Sequence, residues 1–524
     1  MTGADRIVTM LQDAGVRRIF GMPGGGSNAD LIEAAGRAGL PFSLAHTETA
    51  AAFMATAQAE ITGTPGVCLA TLGPGAASVM NGVANAWLDR VPLLVLTDCH
   101  GDALSSFEHQ SLAQQEMFRP VVKWSGRLHP CDAGPMMQQA MRALSSLPPG
   151  PVHLDIPAEV TSTEAGGDWT AALPSQMISA ETRQVLEHAR RPLFLLGLGA
   201  RTAAITRTVR RMCEQFGIPA LVTYKAKGVV PDRHPWFGGV LTNGALEREI
   251  LERADAFLAV GLDPVELLPR PWTLHQPVVA ISAWPIDQQQ IPVDVELVGD
   301  VVSSLDALHF ETDWTAGEVA HLAQVQRDRM RPLTGPGALL PHRVVEIVAE
   351  TYVGTRVTVD AGAHMFPVMS FWPAEEPCGV LISNGLATMG FGLPAAIGAA
   401  LLDPGRPVVA FTGDGGLLMC LGELRTAARE ALPLRIVVFD DGVLSLIKIK
   451  QIQRGYRTDG VSIGDIDWCA LGAGLGVPAW CVDSEESLRA CLRETSEHPG
   501  PVLVAAKVDA RAYEAMIHAL RGNP

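Results

Sequence analysis

Two acidic positions stand out by their spacing. Gly413-Asp414-Gly415-Gly416 closes an apolar run, Pro407–Thr412, and Asp441 follows 27 residues after Asp414, at the end of a second apolar run, Leu434–Phe439. Short apolar runs bounded by glycine read as buried strands. Between them Leu417, Leu418, Leu421, Leu424 and Ala428 recur at helical spacing and predict one helix. Two carboxylates therefore stand at the carboxyl ends of two strands, the edge where open α/β sheets bind ligands. Glycines free backbone N–H groups for a diphosphate, and an aspartate there can hold Mg²⁺, which bridges protein and phosphate oxygens. Such acids are also common as plain strand ends, so the rest of the chain decides.

The chain has 524 residues, too many for one core, and a prior of about 150 residues per domain suggests three or four domains. Hydrophobic residues make up 48% and charged ones only 18%, which excludes a disordered chain. A formal charge of −16 and the lack of a basic run argue against a nucleic-acid surface. Nine cysteines without a C-x-x-C pair suggest neither a zinc site nor a disulfide framework. The start of the chain lacks a basic-then-apolar signal, and no apolar run approaches the ~18 residues of a membrane span. The expectation is a cytoplasmic protein without a membrane partner.

Strands alternating with helices predict parallel sheets with right-handed crossovers. Three open parallel-sheet α/β domains are expected: residues 1–165, 180–312 and 340–524. The first has strands near Ser43–His46, Gly66–Thr71, Pro92–Thr97 and Val152–Ile156. The second has strands near Pro192–Gly197, Pro219–Thr223, Ala256–Val260, Pro277–Ile281 and Val295–Val298. The third holds the Gly-Asp-Gly segment and ends with Val502–Ala506. Polar stretches at 160–180 and 312–340, the second with a charged helix, read as linkers. The first and third blocks look like two versions of one architecture.

Further segments, in the same order along the chain, carry a resemblance. With Gly413–Gly415 come Ala45–Met54, Gly73-Pro74-Gly75 with Asn81-Gly82, and Thr388–Gly398. Together they resemble the thiamine diphosphate enzymes of the acetolactate synthase and 2-oxo-acid decarboxylase superfamily. That resemblance implies a pyrimidine-binding, a middle and a diphosphate-binding domain. It also implies decarboxylation of a 2-oxo acid, or cleavage of a related acyl donor, followed by protonation or by carboligation to an aldehyde or second 2-oxo acid. A simple decarboxylase without ligase activity is one alternative; a non-catalytic regulatory paralogue that binds the cofactor is another.

The resemblance assigns residues. Asp414 and Asp441, with the Val443 carbonyl, would hold Mg²⁺; the family's asparagine pair is replaced here by Asp440-Asp441. Gly413, Gly415, Gly416, the turn Leu444, Ser445 and Leu446, and Gly362 to His364 would contact the diphosphate. Met389 would force the cofactor's two rings together, and the Ala387 carbonyl would accept from its amino group; the family usually has glycine there, and alanine is expected to be a small change. Glu48, at the start of a helix predicted over Glu48–Ala59, would hydrogen-bond the aminopyrimidine. His109 and Gln110 are candidates for touching the substrate carboxylate or relaying a proton, and Leu444, Leu446 and Ile447 for an apolar wall. Thr71-Leu72 stands where benzoylformate decarboxylases carry a histidine, which counts against that activity. Gly197–Ala200 is only a partial dinucleotide turn. Gly261–Glu266 replaces the Arg-Phe-Asp-Asp-Arg segment of FAD-binding acetolactate synthases, so FAD is not expected. The family builds its sites between subunits of a homodimer, often within a homotetramer.

Overall fold

A computed structural model describes residues 1–101, 108–162, 189–286, 290–332 and 339–522. Each of its three sheets has six strands, all in parallel. The first has β1 (Ile19–Gly21), β2 (Phe42–Leu44), β3 (Gly66–Ala70), β4 (Leu93–Cys99), β5 (Trp124–Arg127) and β6 (Val152–Pro157). The second has β7 (Pro192–Leu196), β8 (Ala220–Val222), β9 (Phe237–Val240), β10 (Ala256–Val260), β11 (Val278–Ser282) and β12 (Val295–Val298). The third has β13 (Arg356–Val359), β14 (Val380–Ile382), β15 (Val408–Gly413), β16 (Leu434–Asp440), β17 (Ala479–Val482) and β18 (Val502–Lys507). Central strands such as β3, β7 and β15 are buried along nearly their whole length, as sheets covered by helices on both faces require.

The expected likeness of the outer blocks is realised in their topology. The first sheet runs β2-β1-β3-β4-β6-β5 and the third β14-β13-β15-β16-β18-β17, the same order twelve strands on. The middle sheet runs β12-β11-β10-β7-β8-β9, the order of a doubly wound dinucleotide fold.

The outer sheets share one core. The helix Glu48–Thr62 packs on Gly392–Leu402 through small residues. A Cβ on Gly398 would lie 2.3 Å from the Met54 carbonyl oxygen, so only glycine allows that approach. Gln58 Nε2 donates to the Gly398 carbonyl at 2.9 Å, and the Phe53 and Phe391 rings meet edge to face at 5.4 Å.

One expectation needs correction. The helix expected after Gly-Asp-Gly is two short helices, Asp414–Met419 and Glu423–Arg429. Cys420, at φ −126° and ψ 26°, leaves helical geometry, and a Cβ on Gly422 would press on the His46 Cβ at 2.9 Å. The charged helix expected within the 312–340 linker is Ala316–Arg329, packed against β9. Residues 333–338 lie outside the described residues, as does the 160–180 stretch beyond Ser162. Among the described residues no helix is long and apolar enough to cross a membrane.

Candidate active site

Three neighbouring strands of the third sheet deliver three aspartates to one edge: Asp360 after β13, Asp414 after β15 and Asp441 after β16. Over that edge lies a cavity of about 210 Å³. Gly362, His364, Ala387, Met389, Gly413, Asp414, Gly415, Gly416, Asp441, Val443, Leu444, Ser445 and Leu446 all line it, with Ile447 at its apolar side. The third-block residues to which the resemblance assigns a cofactor or metal role are thus brought to one place.

The acidic pair is held by backbone donors. Asp414 accepts the N–H groups of Gly415 at 2.6 Å, Gly442 at 2.7 Å and Asp441 at 3.3 Å. Asp441 accepts from the Ser445 hydroxyl at 2.6 Å and the Val443 N–H at 3.1 Å. Burial pushes the Asp441 carboxyl up to about 6 against the pull of Ser445, and the neighbouring Asp414 charge adds to the rise. Burial also raises Asp414. Two carboxylates raised in this way suit a divalent cation, which would relieve both. The donor set is hard oxygen, as Mg²⁺ prefers. Among the described residues no group of three His, Cys, Asp or Glu side chains could hold a metal. A third protein ligand would therefore be a backbone oxygen such as that of Val443.

The glycines leave room that other residues would fill. A Cβ on Gly416 would lie 2.1 Å from Asp360 Oδ2, and one on Gly415 would press on Leu444, Ile463 and Met389 between 2.9 and 3.3 Å. The cradle is partly engaged by its own groups, contrary to expectation. Gly415 N–H donates to Asp414, Leu444 N–H to the Val461 carbonyl and Ser445 N–H to the Val443 carbonyl. Gly416 and Leu446 lie within the first turns of Asp414–Met419 and Ser445–Gln453, where helices present N–H groups to anions. Beside them His364 Nε2 is buried without a partner among the described residues, and burial holds its ring neutral with a pKa of about 3. These features fit a diphosphate and its metal.

Ala387 differs from expectation. Its φ is +51°, in the left-handed region, so alanine in place of the family's glycine is not a small change. Its neighbour Met389 reaches across to Gly415.

Two residues of this site were missed in the sequence. Asp360 accepts from the N–H groups of Ala361, Gly390 and Phe391 and from the Thr412 hydroxyl, all between 3.0 and 3.1 Å. It ties β13, β15 and the Met389 turn together, and burial lifts its pKa to about 6. Its signal was an acid just after a short strand, before Gly362. Tyr513, fully buried, closes the cavity floor from the C-terminal helix Ala512–Arg521.

Glu48, His109 and Gln110 do not line this cavity. Glu48 opens its helix as expected, with Thr47 as the cap, and is buried at 8% exposure. A Cβ on Gly75 would come within 3.1 Å of Glu48 Oε1, so the Gly73-Pro74-Gly75 turn makes the carboxylate's space. His109 and Gln110 are exposed. Gln110 packs over Gly73 and lines a separate cleft with Leu72, Arg127 and Asp155.

Comparison with known proteins accords with this geometry. Residues 1–119 match the family "Thiamine pyrophosphate enzyme, N-terminal TPP binding domain". Residues 180–308 match its central domain and 360–506 its C-terminal TPP binding domain. The chain is 31% identical to the acetolactate synthase of Bacillus subtilis (strain 168), over 97% of this chain and 93% of that protein. It is 30% identical to a catabolic acetolactate synthase of Raoultella terrigena, over 97% and 95%. It is also 30% identical to the isozyme 1 large subunit of Escherichia coli (strain K12), over 97% and 94%. The chain belongs to the thiamine pyrophosphate enzyme family, as an acetolactate synthase-like member.

Proposed function

We propose that this chain uses thiamine diphosphate and Mg²⁺ to break the bond beside the carbonyl of a 2-oxo acid, or a related acyl donor, and to join the acyl fragment to a second carbonyl compound. The observation that carries the reading is the single cavity lined by Asp414, Asp441, the glycine cradle and Met389. Thiamine diphosphate, when bound, supplies a carbon nucleophile and an electron sink for such cleavage.

The chain's own groups have distinct tasks. Asp414 and Asp441 hold the cation, with the Val443 carbonyl beside them. Gly416 and Leu446 would receive phosphate oxygens, with the His364 ring beside them. Met389 and the Ala387 carbonyl position the two rings. Glu48 holds a proton at the pyrimidine, a task suited to a buried carboxylate. Leu446 and Ile447 keep water from the reacting end, where small aliphatic groups fit. His109 and Gln110 would meet the substrate carboxylate.

Glu48 reaches this cavity from a second copy of the chain. Its place outside the lining of its own chain's cavity supports that reading. So do the exposed apolar side chains on and just after the two helices that start at the site: Leu418, Met419, Ile447, Ile452 and Tyr456. A two-fold dimer would cover them and make two equivalent sites. FAD is not part of the proposal. At the switch point of the middle sheet, Glu266 accepts the N–H of Leu198 at 2.9 Å and the Thr223 hydroxyl, filling the crevice a dinucleotide would enter.

The test is a screen of 2-oxo acids, with and without aldehyde acceptors, on protein reconstituted with thiamine diphosphate and Mg²⁺. CO₂ release that needs both cofactors, with an acyloin product, supports the reading. Aldehyde as the sole product makes the chain a decarboxylase. Cofactor binding without turnover of any donor overturns the enzyme assignment.

A further inference from the structure

One lysine joins all three sheets. Lys225 follows β8 and is 1% exposed. Its Nζ donates to Glu60 Oε1 at 2.8 Å, to Asp89 Oδ2 at 3.1 Å and to the Ile382 carbonyl at 3.0 Å, which uses all three ammonium donors. Glu60 lies in the helix that Glu48 opens, Asp89 caps Met80–Leu88, and Ile382 ends β14. Arg201 sits 2.6 Å from the other Glu60 oxygen, so two cations face two carboxylates. Burial alone would discharge Lys225, but Asp89 and Glu60 outweigh it and raise its pKa above the ordinary value.

Asp89 passes the constraint to the cofactor cavity. It accepts the N–H of Gly385 at 2.8 Å and of Asn384 at 3.3 Å. These residues open the loop that carries Ala387 and Met389. Its far end is held by Asn81, which donates to the Thr388 hydroxyl at 3.0 Å, and by Ser383, which accepts the Thr388 N–H at 3.1 Å. A Cβ on Gly385 would lie 2.6 Å from Leu88 Cβ, so the loop rests directly on the end of Met80–Leu88. The loop contains the left-handed Ala387, a conformation that persists only where its surroundings impose it. A buried charge cluster gains little stability over an apolar one, because desolvation cancels most of its attraction; its distinct contribution is fixed geometry.

We propose that Lys225 and Asp89 are positioning residues: they hold the Asn384–Met389 loop so that the Ala387 carbonyl and the Met389 side chain meet the cofactor's ring end. This rests on the reading that the cavity takes thiamine diphosphate. The middle domain thereby acts on a site to which it contributes no lining residue.

The test uses the full chain with two variants. Asp89→Asn/Lys225→Met removes one charge of each sign and leaves Glu60 paired with Arg201. Gly385→Ala displaces the same loop by contact with Leu88 and changes no charge. Magnesium pyrophosphate probes the diphosphate anchor alone, and thiamine diphosphate with Mg²⁺ probes the whole cavity, both by calorimetry. Deuterium exchange at C2 of the bound cofactor, at saturation, reads ring placement by NMR. Both variants should bind magnesium pyrophosphate like the unaltered protein, bind thiamine diphosphate about tenfold more weakly, and exchange at least about tenfold more slowly. Equal loss of both ligands, or unchanged exchange, overturns the proposal. If the double variant does not fold, Gly385→Ala decides by the same readouts. Failure of the unaltered protein to bind thiamine diphosphate would instead overturn the functional reading.

Discussion

The backbone N–H of Asp441 donates to the Asp414 carboxylate at 3.3 Å, which sets two acids from adjacent strands side by side in a half-buried cleft. Burial, with the Asp414 charge adding to it, raises the Asp441 pKa to about 6, against 3.8 ordinarily. The sign follows from linkage: without a cation, the folded chain holds a proton there that the unfolded chain has lost. Stability from this group is full below pH 3.8 and falls as pH rises through 6.

A bound cation must displace that proton. Mn²⁺ or Mg²⁺ affinity should be flat above pH 7 and fall about tenfold per unit below 6. Asp441→Asn, the residue type of the family pattern, should weaken the dependence on pH over that window, leaving only that of Asp414. Calorimetry between pH 5 and 8 checks both. A flat profile in the unaltered protein would show that Asp441 is not a ligand.

Ala387 carries a backbone conformation that an L side chain resists. The left-handed penalty is roughly 1–2 kcal/mol, while glycine costs roughly 0.5–1 kcal/mol in lost chain freedom. The first exceeds the second, so Ala387→Gly should stabilise the protein by about 0.5–1 kcal/mol, seen as a rise of ~1–3 °C in the thermal midpoint. An unchanged or lower midpoint would mean that the loop imposes φ +51° without strain.

Much of this site was legible because it is local. Gly413 to Gly416, Asp441 and Leu444 to Leu446 fall in two short stretches beside strongly apolar strands, and β15, β16 and β18 each have at least six residues. What escaped was short or long-range. Strands β1, β13 and β14 have three or four residues each, too few for a run to register, and Arg356 and Thr358 break the pattern of β13. Missing β13 meant missing Asp360 at its end. The partners of Lys225 lie 136 to 165 residues away, and no local pattern announces them. The broken helix after Gly-Asp-Gly escaped because Leu417, Leu421 and Leu424 keep helical spacing across the break.

The middle crevice predicts the cofactor content. A Cβ on Gly199 would lie 2.9 Å from the Gly261 Cα, so the two loops that would part for a diphosphate touch instead. Glu266 holds the nearby N–H groups of Leu198 and Asp263 and, through burial, has a pKa of about 7. Protein purified without added cofactor should show no flavin band near 450 nm. One flavin per chain would show that the crevice opens and that Glu266 swings away.

The strongest test of the shared site uses two inactive chains. Glu48→Gln keeps the size of the side chain and removes its proton-holding role, so C2 exchange in bound thiamine diphosphate should slow by at least about a hundredfold while binding persists. Asp414→Ala should lose the cation and, with it, the cofactor. Each homodimer is then defective at both sites. In a mixed dimer one site receives Glu48 from the Asp414→Ala chain and Asp414 from the Glu48→Gln chain, and so is intact, while the other carries both defects. Random exchange makes half the dimers mixed, with one good site in two. Equal mixtures should therefore recover about a quarter of the normal exchange rate. Mass spectrometry on differently tagged chains verifies that mixed dimers form. If they form and exchange stays at the level of the separate variants, Glu48 serves the cavity of its own chain, and the exposed Met419 and Tyr456 faces need another explanation.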